Sequence, residues 1–251
     1  AVNKKSTMNM ELQEVVSEIK KKENKKVVLT IYRDKKSKDY TVKKSSVQLD
    51  TVSYKMKEKK IGYIAVSQFL ENTGDQFDKA VTALEKKGMR SLIIDLRDNG
   101  GGLLNTCTQM VSRVIDKDKL IVYTKDKEGN KEEFKSDSGK TLDIPIIILV
   151  NGNTASASEI MTGCLKDYGK ATVVGTTTYG KGIVQNIMPL TDGSAIKFTI
   201  AKYYTPNGTD IHKKGIKPDV KVKMSDAQWK KAQTDEKADK QLKKAIELLE
   251  K

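Results

Sequence analysis

The chain has 251 residues, enough for one large domain with a sizeable core, and its net charge is +14 from 47 Lys and Arg against 33 Asp and Glu. Only four of the basic residues are arginine, and aromatic residues make up 6%, whereas nucleic-acid readers rely on arginine forks and aromatic platforms. We therefore exclude nucleic acid as a partner and interpret the lysines as a solvated surface, which leaves association with an anionic membrane surface open.

The apolar and cysteine content places further limits on function. The longest apolar stretch, 144–150, is far shorter than the about 20 residues that a bilayer requires. The chain begins at Ala1 rather than Met, and we interpret it as a fragment whose upstream part is missing. Cys107 and Cys164 have no Cys-x-x-Cys spacing and no neighbouring histidine, so no metal site and no cofactor are predicted. Buried free thiols are favoured, although a bridge between the two remains open.

Residues 1–49 are predicted to form a separate α+β unit. Apolar residues from Leu12 to Ile19 recur at helical spacing, a Lys/Glu/Asn turn follows at 21–25, and strands are predicted at 27–32 and 40–42. One helix and two or three strands cannot bury a core of their own. A small decoration without a binding role remains an alternative for this unit.

From residue 60 the chain alternates strands with helices. Strands are predicted at 61–66, 91–96, 146–150 and 172–174, with helices ending near Gly88, spanning 103–115 and spanning 157–168. Hairpins are predicted at 120–134 and 184–204, and a helix at 226–251. This alternation predicts an α/β fold with a mostly parallel sheet in residues 50–251.

A glycine-rich run, Arg97 to Gly102, links the strand at 91–96 to the next helix. Such a turn also describes a phosphate-binding loop. The run lacks both the Gly-x-Gly-x-x-Gly spacing and a Gly-Lys-Ser/Thr ending, so nucleotide binding is only weakly indicated.

The stretch 150–160 has the pattern of a nucleophile turn. A buried strand ends in an Asn/Gly-rich turn that delivers small residues, including Ser156, to the start of a helix. The backbone N–H groups that follow such a serine, with the helix dipole behind them, face the charge that develops on an attacked carbonyl. Glu159 is interpreted as an acid that favours the first helical turn.

Lysine is predicted as the base that activates the serine. The chain has one histidine, His212, in a charged context that indicates a solvated surface residue, so a Ser-His-Asp triad is not favoured. Lys181 stands between Gly180 and Gly182 in a strand-like run, and burial would hold such an amine neutral. Gln185, four residues further along, is predicted to share its face of the strand and to position the amine.

These motifs resemble those of the C-terminal processing peptidases, or tail-specific proteases, which are S41-type serine peptidases. In that family a Ser-Ala-Ser-Glu run is followed by Gly-Lys-Gly and by a glutamine four residues later, and the run at Ser156, Lys181 and Gln185 is similar in order and spacing. The resemblance implies a Ser156 nucleophile, a Lys181 base and Gln185 as its partner. It also implies an oxyanion hole formed by Ala157 with Gly101 or Gly102. Gly100 stands where many members have proline, which leaves the choice between the two glycines open.

The resemblance also implies an architecture and a setting. The core would be the spiral fold shared with the Clp protease and crotonase groups, preceded by the C-terminal half of a PDZ-like domain in residues 1–49. Substrates would be proteins or peptides with exposed C-terminal tails, in the bacterial envelope, with the protein secreted or anchored by an upstream segment. Asp167 matches a family position and is interpreted as ordering local structure. The sequence predicts no oligomeric state.

Two other functions remain open. The chain could be a catalytically silent peptide-binding or scaffold protein of the same fold, provided that the Ser156 and Lys181 side chains lie out of reach of each other. An acyl-CoA enzyme of the crotonase type would share the fold but would not need a serine nucleophile. The agreement of Ser156, Lys181 and Gln185 favours the peptidase.

Overall fold

The computed structural model describes residues 1–21, 25–45, 48–137 and 141–250. These residues belong to two compact units, Ala1–Leu49 and Asp50–Lys251. Most of the turn predicted at 21–25 lies outside the described residues. Within the described ranges, no helix combines the length and apolar character needed to cross a bilayer.

The smaller unit consists of helix α1 (Leu12–Lys20) and an antiparallel hairpin of strands β1 (Lys26–Arg33) and β2 (Lys36–Lys43). The hairpin turns at Asp34 and Lys35, which both have positive φ, as a two-residue type I′ turn requires. Val2 and Val27 are buried, whereas Leu12 is 77% exposed. The helix and both strands lie where the sequence predicted them. The identity of this unit as half of a PDZ domain stays a prediction.

The larger unit is an α/β domain with ten strands and five helices in its described part. These elements are β3 (Val52–Met56), β4 (Ile61–Val66), α2 (Thr73–Lys86), β5 (Ser91–Asp95), α3 (Leu104–Ser112), β6 (Leu120–Lys125), β7 (Lys131–Lys135), β8 (Ile146–Val150), α4 (Ala157–Asp167), β9 (Ala171–Gly175), β10 (Ile183–Pro189), β11 (Ala195–Tyr204), β12 (Val220–Lys221), α5 (Asp226–Thr234) and α6 (Lys240–Leu249).

A six-stranded sheet forms the centre of this domain, with the strand order β12-β9-β8-β5-β4-β3. All neighbouring pairs are parallel except β3 with β4, so the predicted α/β class with a mostly parallel sheet is confirmed. Every residue of β5 and β8 is buried, because central parallel strands are covered on both faces. Leu92 and Ile94 pack into the core that contains helices α2, α3 and α4, whereas Ile93 packs with Leu242 of α6 on the other face.

A second, antiparallel sheet has the order β10-β11-β6-β7. Its β10–β11 hairpin is mostly exposed. Strands β3 and β12 were not predicted from the sequence. The predicted helix at 226–251 is two helices. The Asp235 side chain accepts the Lys237 N–H between them, and the Asp239 side chain accepts the Leu242 N–H and caps α6.

Candidate active site

Ser156 occupies a sharp turn between strand β8 and helix α4. Its backbone has φ 56° and ψ −118°, a conformation with positive φ that non-glycine residues rarely adopt. Strain of this kind is concentrated at functional sites, and a serine held in a tight strand-to-helix turn has its hydroxyl presented for attack. The Ser156 side chain is half-buried, while Ala157 and Ser158 are buried.

The loop after β5 packs against the loop after β8. These loops follow the carboxyl ends of adjacent parallel strands, where active sites of open α/β sheets form. The Ala155 N–H donates to the Asn99 carbonyl at 3.0 Å, and the Ser158 hydroxyl donates to the same carbonyl at 3.0 Å. A Cβ added to Gly101 would lie 2.8 Å from Ser156 Cβ and 2.9 Å from the Ala157 nitrogen. Glycine is therefore required at 101, both for this approach and for its φ of +94°.

The two candidate glycines differ in their backbone N–H groups. The Gly101 N–H donates to the Asn99 Oδ1 atom at 2.8 Å. No acceptor in the described part of the chain binds the N–H of Gly102 or that of Ala157. The hydrogen-bond pattern thus leaves Gly102 and Ala157 as the available donors, and Gly101 as the residue that packs beside the Ser156 turn.

Glu159 joins the serine turn to the lysine loop. Its carboxylate is fully buried and accepts the Ser156 N–H at 2.9 Å and the Lys181 N–H at 2.8 Å, both on Oε2. Oε1 accepts the Gly180 N–H at 2.7 Å and the Thr178 hydroxyl at 2.5 Å. The sequence interpretation of Glu159 as a helix-dipole acid was incomplete. The Ser-x-x-Glu spacing of a capping box was the signal available in the sequence.

The Lys181 side chain is exposed, so its predicted burial is wrong in this structure. Within the described ranges its ammonium makes no hydrogen bond or ion pair. Strand β10 begins only at Ile183, and its pairing with β11 shifts register between Val184 and Gln185. The shared-face argument for Lys181 and Gln185 therefore does not apply, and Gln185 is exposed on the strand. The assignment of both residues to catalysis stays a prediction.

His212 and Asp167 have structural surroundings. His212 is half-buried, not fully solvated as expected, and its backbone nitrogen would lie 2.5 Å from a Cβ added to Gly182. Its Nδ1 atom is enclosed and has no hydrogen-bond partner in the described part of the chain. Asp167 Oδ2 accepts the Asn207 N–H at 2.8 Å, which is consistent with a role in local order.

Cys107 and Cys164 are free and buried. Burial raises the pKa of the Cys107 thiol to about 12, and burial likewise raises the pKa of Cys164. The Cys107 thiol donates to the Ala157 carbonyl at 3.2 Å. Among the described residues, no group of three or more His, Cys, Asp or Glu side chains is arranged to hold a metal ion.

Fold and site together define a class. Residues 60–222 match Peptidase family S41, and the chain belongs to this family. The predicted resemblance to serine-type C-terminal processing peptidases is confirmed by the relatives. The chain is 43% identical over 223 residues to a "Probable CtpA-like serine protease" of Staphylococcus aureus strain N315, covering 88% of this chain and 45% of that protein.

A second relative and a solved structure, both named as C-terminal processing proteases, are also similar to this chain. The "Carboxy-terminal processing protease CtpA" of Bacillus subtilis strain 168 is 40% identical over 226 residues, covering 90% of this chain and 48% of that protein. The chain thus spans about half the length of these curated relatives. The solved "Photosystem II D1 C-terminal processing protease" is similar with a TM-score of 0.65 and 27% identity, covering 88% of this chain and 62% of that one.

Proposed function

We propose that this chain contains the catalytic centre of a serine endopeptidase that cleaves proteins near their C-termini, with Ser156 as the nucleophile. The observation that carries the proposal is the positive φ of Ser156 at the β8–α4 junction. The Ala157 N–H follows this residue directly and Gly102 lies in the loop that packs against the same turn, and in the described part of the chain neither N–H has an acceptor. A half-buried serine in this turn is poorly explained by packing alone. In the proposed complex, Ser156 Oγ faces the carbonyl carbon of a bound substrate, and the two N–H groups bind the oxygen of that carbonyl.

In the proposed reaction Lys181 acts as the base. Its neutral amine takes the Ser156 hydroxyl proton as Oγ attacks the scissile carbonyl carbon, and the resulting ammonium then protonates the leaving amine as the C–N bond breaks. In the second step water attacks the acyl carbon while the Lys181 amine takes its proton. The ammonium then returns the proton to Ser156 Oγ as the acyl–oxygen bond breaks, which regenerates both side chains. The N–H groups of Ala157 and Gly102 stabilise the tetrahedral oxyanion in both steps, and Gly101 allows the close approach of the two loops.

The backbone supports the assignment of Lys181 more directly than its side chain does. The Ser156 and Lys181 nitrogens both bind Glu159 Oε2, at 2.9 and 2.8 Å, so they can be no farther apart than these two bonds laid end to end. In the proposed reaction the flexible four-carbon side chain of Lys181 turns from its exposed position to bring its amine to Ser156 Oγ. A bound polypeptide would cover the amine and remove its water, which favours the neutral form. Gln185 would then accept or donate a hydrogen bond that fixes the amine.

A fluorophosphonate probe tests this proposal. We expect labelling of Ser156, no labelling of Ser156→Ala, and a loss of several orders of magnitude in labelling rate for Lys181→Ala, because members of a catalytic dyad act as a unit. Gln185→Ala should cost less. Lys197→Ala, an exposed lysine on β11, is the matched control. A folded protein that resists the probe would favour the silent peptide-binding alternative.

The setting of the protein is also part of the proposal. We propose that the Ala1–Leu49 unit is the C-terminal half of a PDZ-like domain and that α1 forms one wall of a groove for substrate tails. We also propose that the protein acts in the bacterial envelope, where its lysines face anionic lipid. The exposed Leu12 on α1 supports a binding role. We expect Leu12→Ser to weaken binding of a substrate peptide, and Gln13→Ser on the same helix to leave it unchanged. Equal peptide affinity in all three proteins would contradict this part of the proposal.

A further inference from the structure

Helix α5 contacts the loop that follows β5 through one aromatic side chain. The Trp229 Nε1–H donates to Asp98 Oδ2 at 2.8 Å. The Arg97 guanidinium lies 4.5 Å from the centre of the Trp229 ring, in the geometry of a cation–π contact. Arg97 is buried and is itself held by Asp95 and by Asp239 at the start of α6. The C-terminal helices therefore reach the loop that carries Gly101 and Gly102.

Asp98 is the residue where three segments meet. Its Oδ1 accepts the Asn151 side-chain amide at 2.7 Å and that of Asn153 at 2.8 Å, and both asparagines belong to the loop that precedes Ser156. Its own N–H donates to Asn151 Oδ1 at 3.0 Å. Partial burial opposes the charge of Asp98, but the hydrogen bonds from Asn153, Asn151 and Trp229, with the nearby Arg97 charge, lower its pKa below the ordinary value.

The position of Asp98 is not enforced by close packing. Its φ is +58°, a strained value for a non-glycine residue, and its side chain is exposed. It lines a cavity of about 250 Å³ together with Asn151, Asn153 and Trp229. Because space rather than packed side chains lies beside the carboxylate, its hydrogen bonds hold the turn in place. Removing one of them gives the turn room to move.

We propose that Trp229 is a positioning residue for the Ser156 reaction: its hydrogen bond to Asp98 holds the turn at 98–102 so that the Gly102 N–H faces the developing oxyanion. The inference rests on the proposed function. Asp98 lies four residues before Gly102, and the Asn99 carbonyl between them accepts from both Ala155 and Ser158. A shift at Asp98 is thus passed directly to the Ser156 turn. Trp229 acts through Asp98 and does not itself touch substrate.

Trp229→Phe removes the donor and keeps an aromatic face for Arg97. The substituted residue is half-buried and outside both core clusters, and Leu242 and Ala245 still pack α6 on the sheet. We expect kcat for an internally quenched peptide with a free C-terminus to fall about tenfold, with KM and Tm nearly unchanged. This is less than the 10²–10³ that complete loss of an oxyanion donor costs. Lys230→Ala, an exposed neighbour on α5, is the control and should behave as the parent protein.

A second measurement separates positioning from folding. A peptide boronate forms a tetrahedral adduct with a reactive serine, so its affinity should fall with kcat in Trp229→Phe, whereas the affinity for the product peptide should not. Unchanged kcat and boronate affinity would overturn the proposal. A loss of activity that only follows loss of folded protein would also overturn it, since Trp229 would then be purely structural. If the Ser156→Ala variant kept the activity of the parent protein, that result would instead contradict the proposed function.

Discussion

Ser156 and Lys181 are linked through one oxygen atom, because the backbone N–H groups of both residues donate to Oε2 of Glu159. Ser156 is the N-cap residue of helix α4, and Lys181 lies in the loop between β9 and β10, two residues before β10 begins. The buried carboxylate thus fixes the relative position of two segments. The sequence alone shows only the number of residues between them. The proposed nucleophile and base are therefore carried by two backbone segments that one carboxylate joins.

Replacing Glu159 by glutamine should therefore disable the site. An amide presents one oxygen and one NH₂ group to four donors, so at least one buried donor loses its partner, at a cost of about 1–3 kcal/mol. We expect the free energy of unfolding to fall by that amount and fluorophosphonate labelling of Ser156 to slow by at least about tenfold. Glu247→Gln, which alters an exposed ion pair on α6, is the control. Labelling at the parental rate would show that Glu159 does not position the site.

Gly100 and Gly101 should differ sharply in their tolerance of a methyl group. A Cβ on Gly100 meets nothing within 4 Å, whereas one on Gly101 would lie 2.6 Å from the Ala155 carbonyl oxygen. Gly100→Ala should keep nearly full activity, and Gly101→Ala should lose most of it because the loop is forced away from Ser156. Peptide hydrolysis measured beside thermal unfolding checks both variants. Similar activity in the two would mean that this approach is not needed for catalysis.

Activity should survive metal chelators and rise toward alkaline pH. The proposed base is an amine, and an amine accepts the Ser156 proton only in its unprotonated form, so the rate should increase with pH. The measurement is the pH profile of kcat/KM with and without EDTA. Loss of activity in EDTA that zinc restores would overturn the Ser/Lys assignment.

The cysteines should be inert in the folded protein. Because burial raises the pKa of Cys107 to about 12, its thiol stays protonated at pH 8, and only the thiolate is alkylated readily. We expect mass spectrometry to show no iodoacetamide addition to native protein and two additions after unfolding in denaturant. Rapid addition to the native protein would mean that the α3–α4 region opens easily.

Much of the larger unit was predictable because its signals are local. The apolar runs at 91–95 and 146–150 are short and rich in Ile, Leu and Val, which is typical of strands buried on both faces, and the small residues around Ser156 mark the start of a helix. Strand β3 was missed because its alternating polar residues also describe a surface loop. The break between α5 and α6 depends on Asp239, which both caps α6 and binds Arg97 far away in the sequence.

The site was predicted as a set of residues but not as a geometry. The sequence contained the Ser-x-x-Glu spacing, yet nothing local revealed that the Glu159 carboxylate would accept N–H groups from residues 21 and 22 positions later. The exposure of Lys181 likewise depends on where β10 begins, and strand boundaries follow from pairing with β11 rather than from propensity. Tertiary contacts decided both cases.

The pairing of β5 with β8 also decides at which stage of folding the loops around Ser156 come together. Asp98 and Asn151, which bind each other, are 53 residues apart. The Glu159 carboxylate binds Gly180 and Lys181, which are synthesised later still. During synthesis, when chains emerge N-terminal end first, the Ser156 turn has no glycine partner until a parallel, non-local pairing is complete, which is among the slower steps of folding. A nascent or partly unfolded copy therefore carries Ser156 without the packed β5 and β8 loops that surround it in the folded domain.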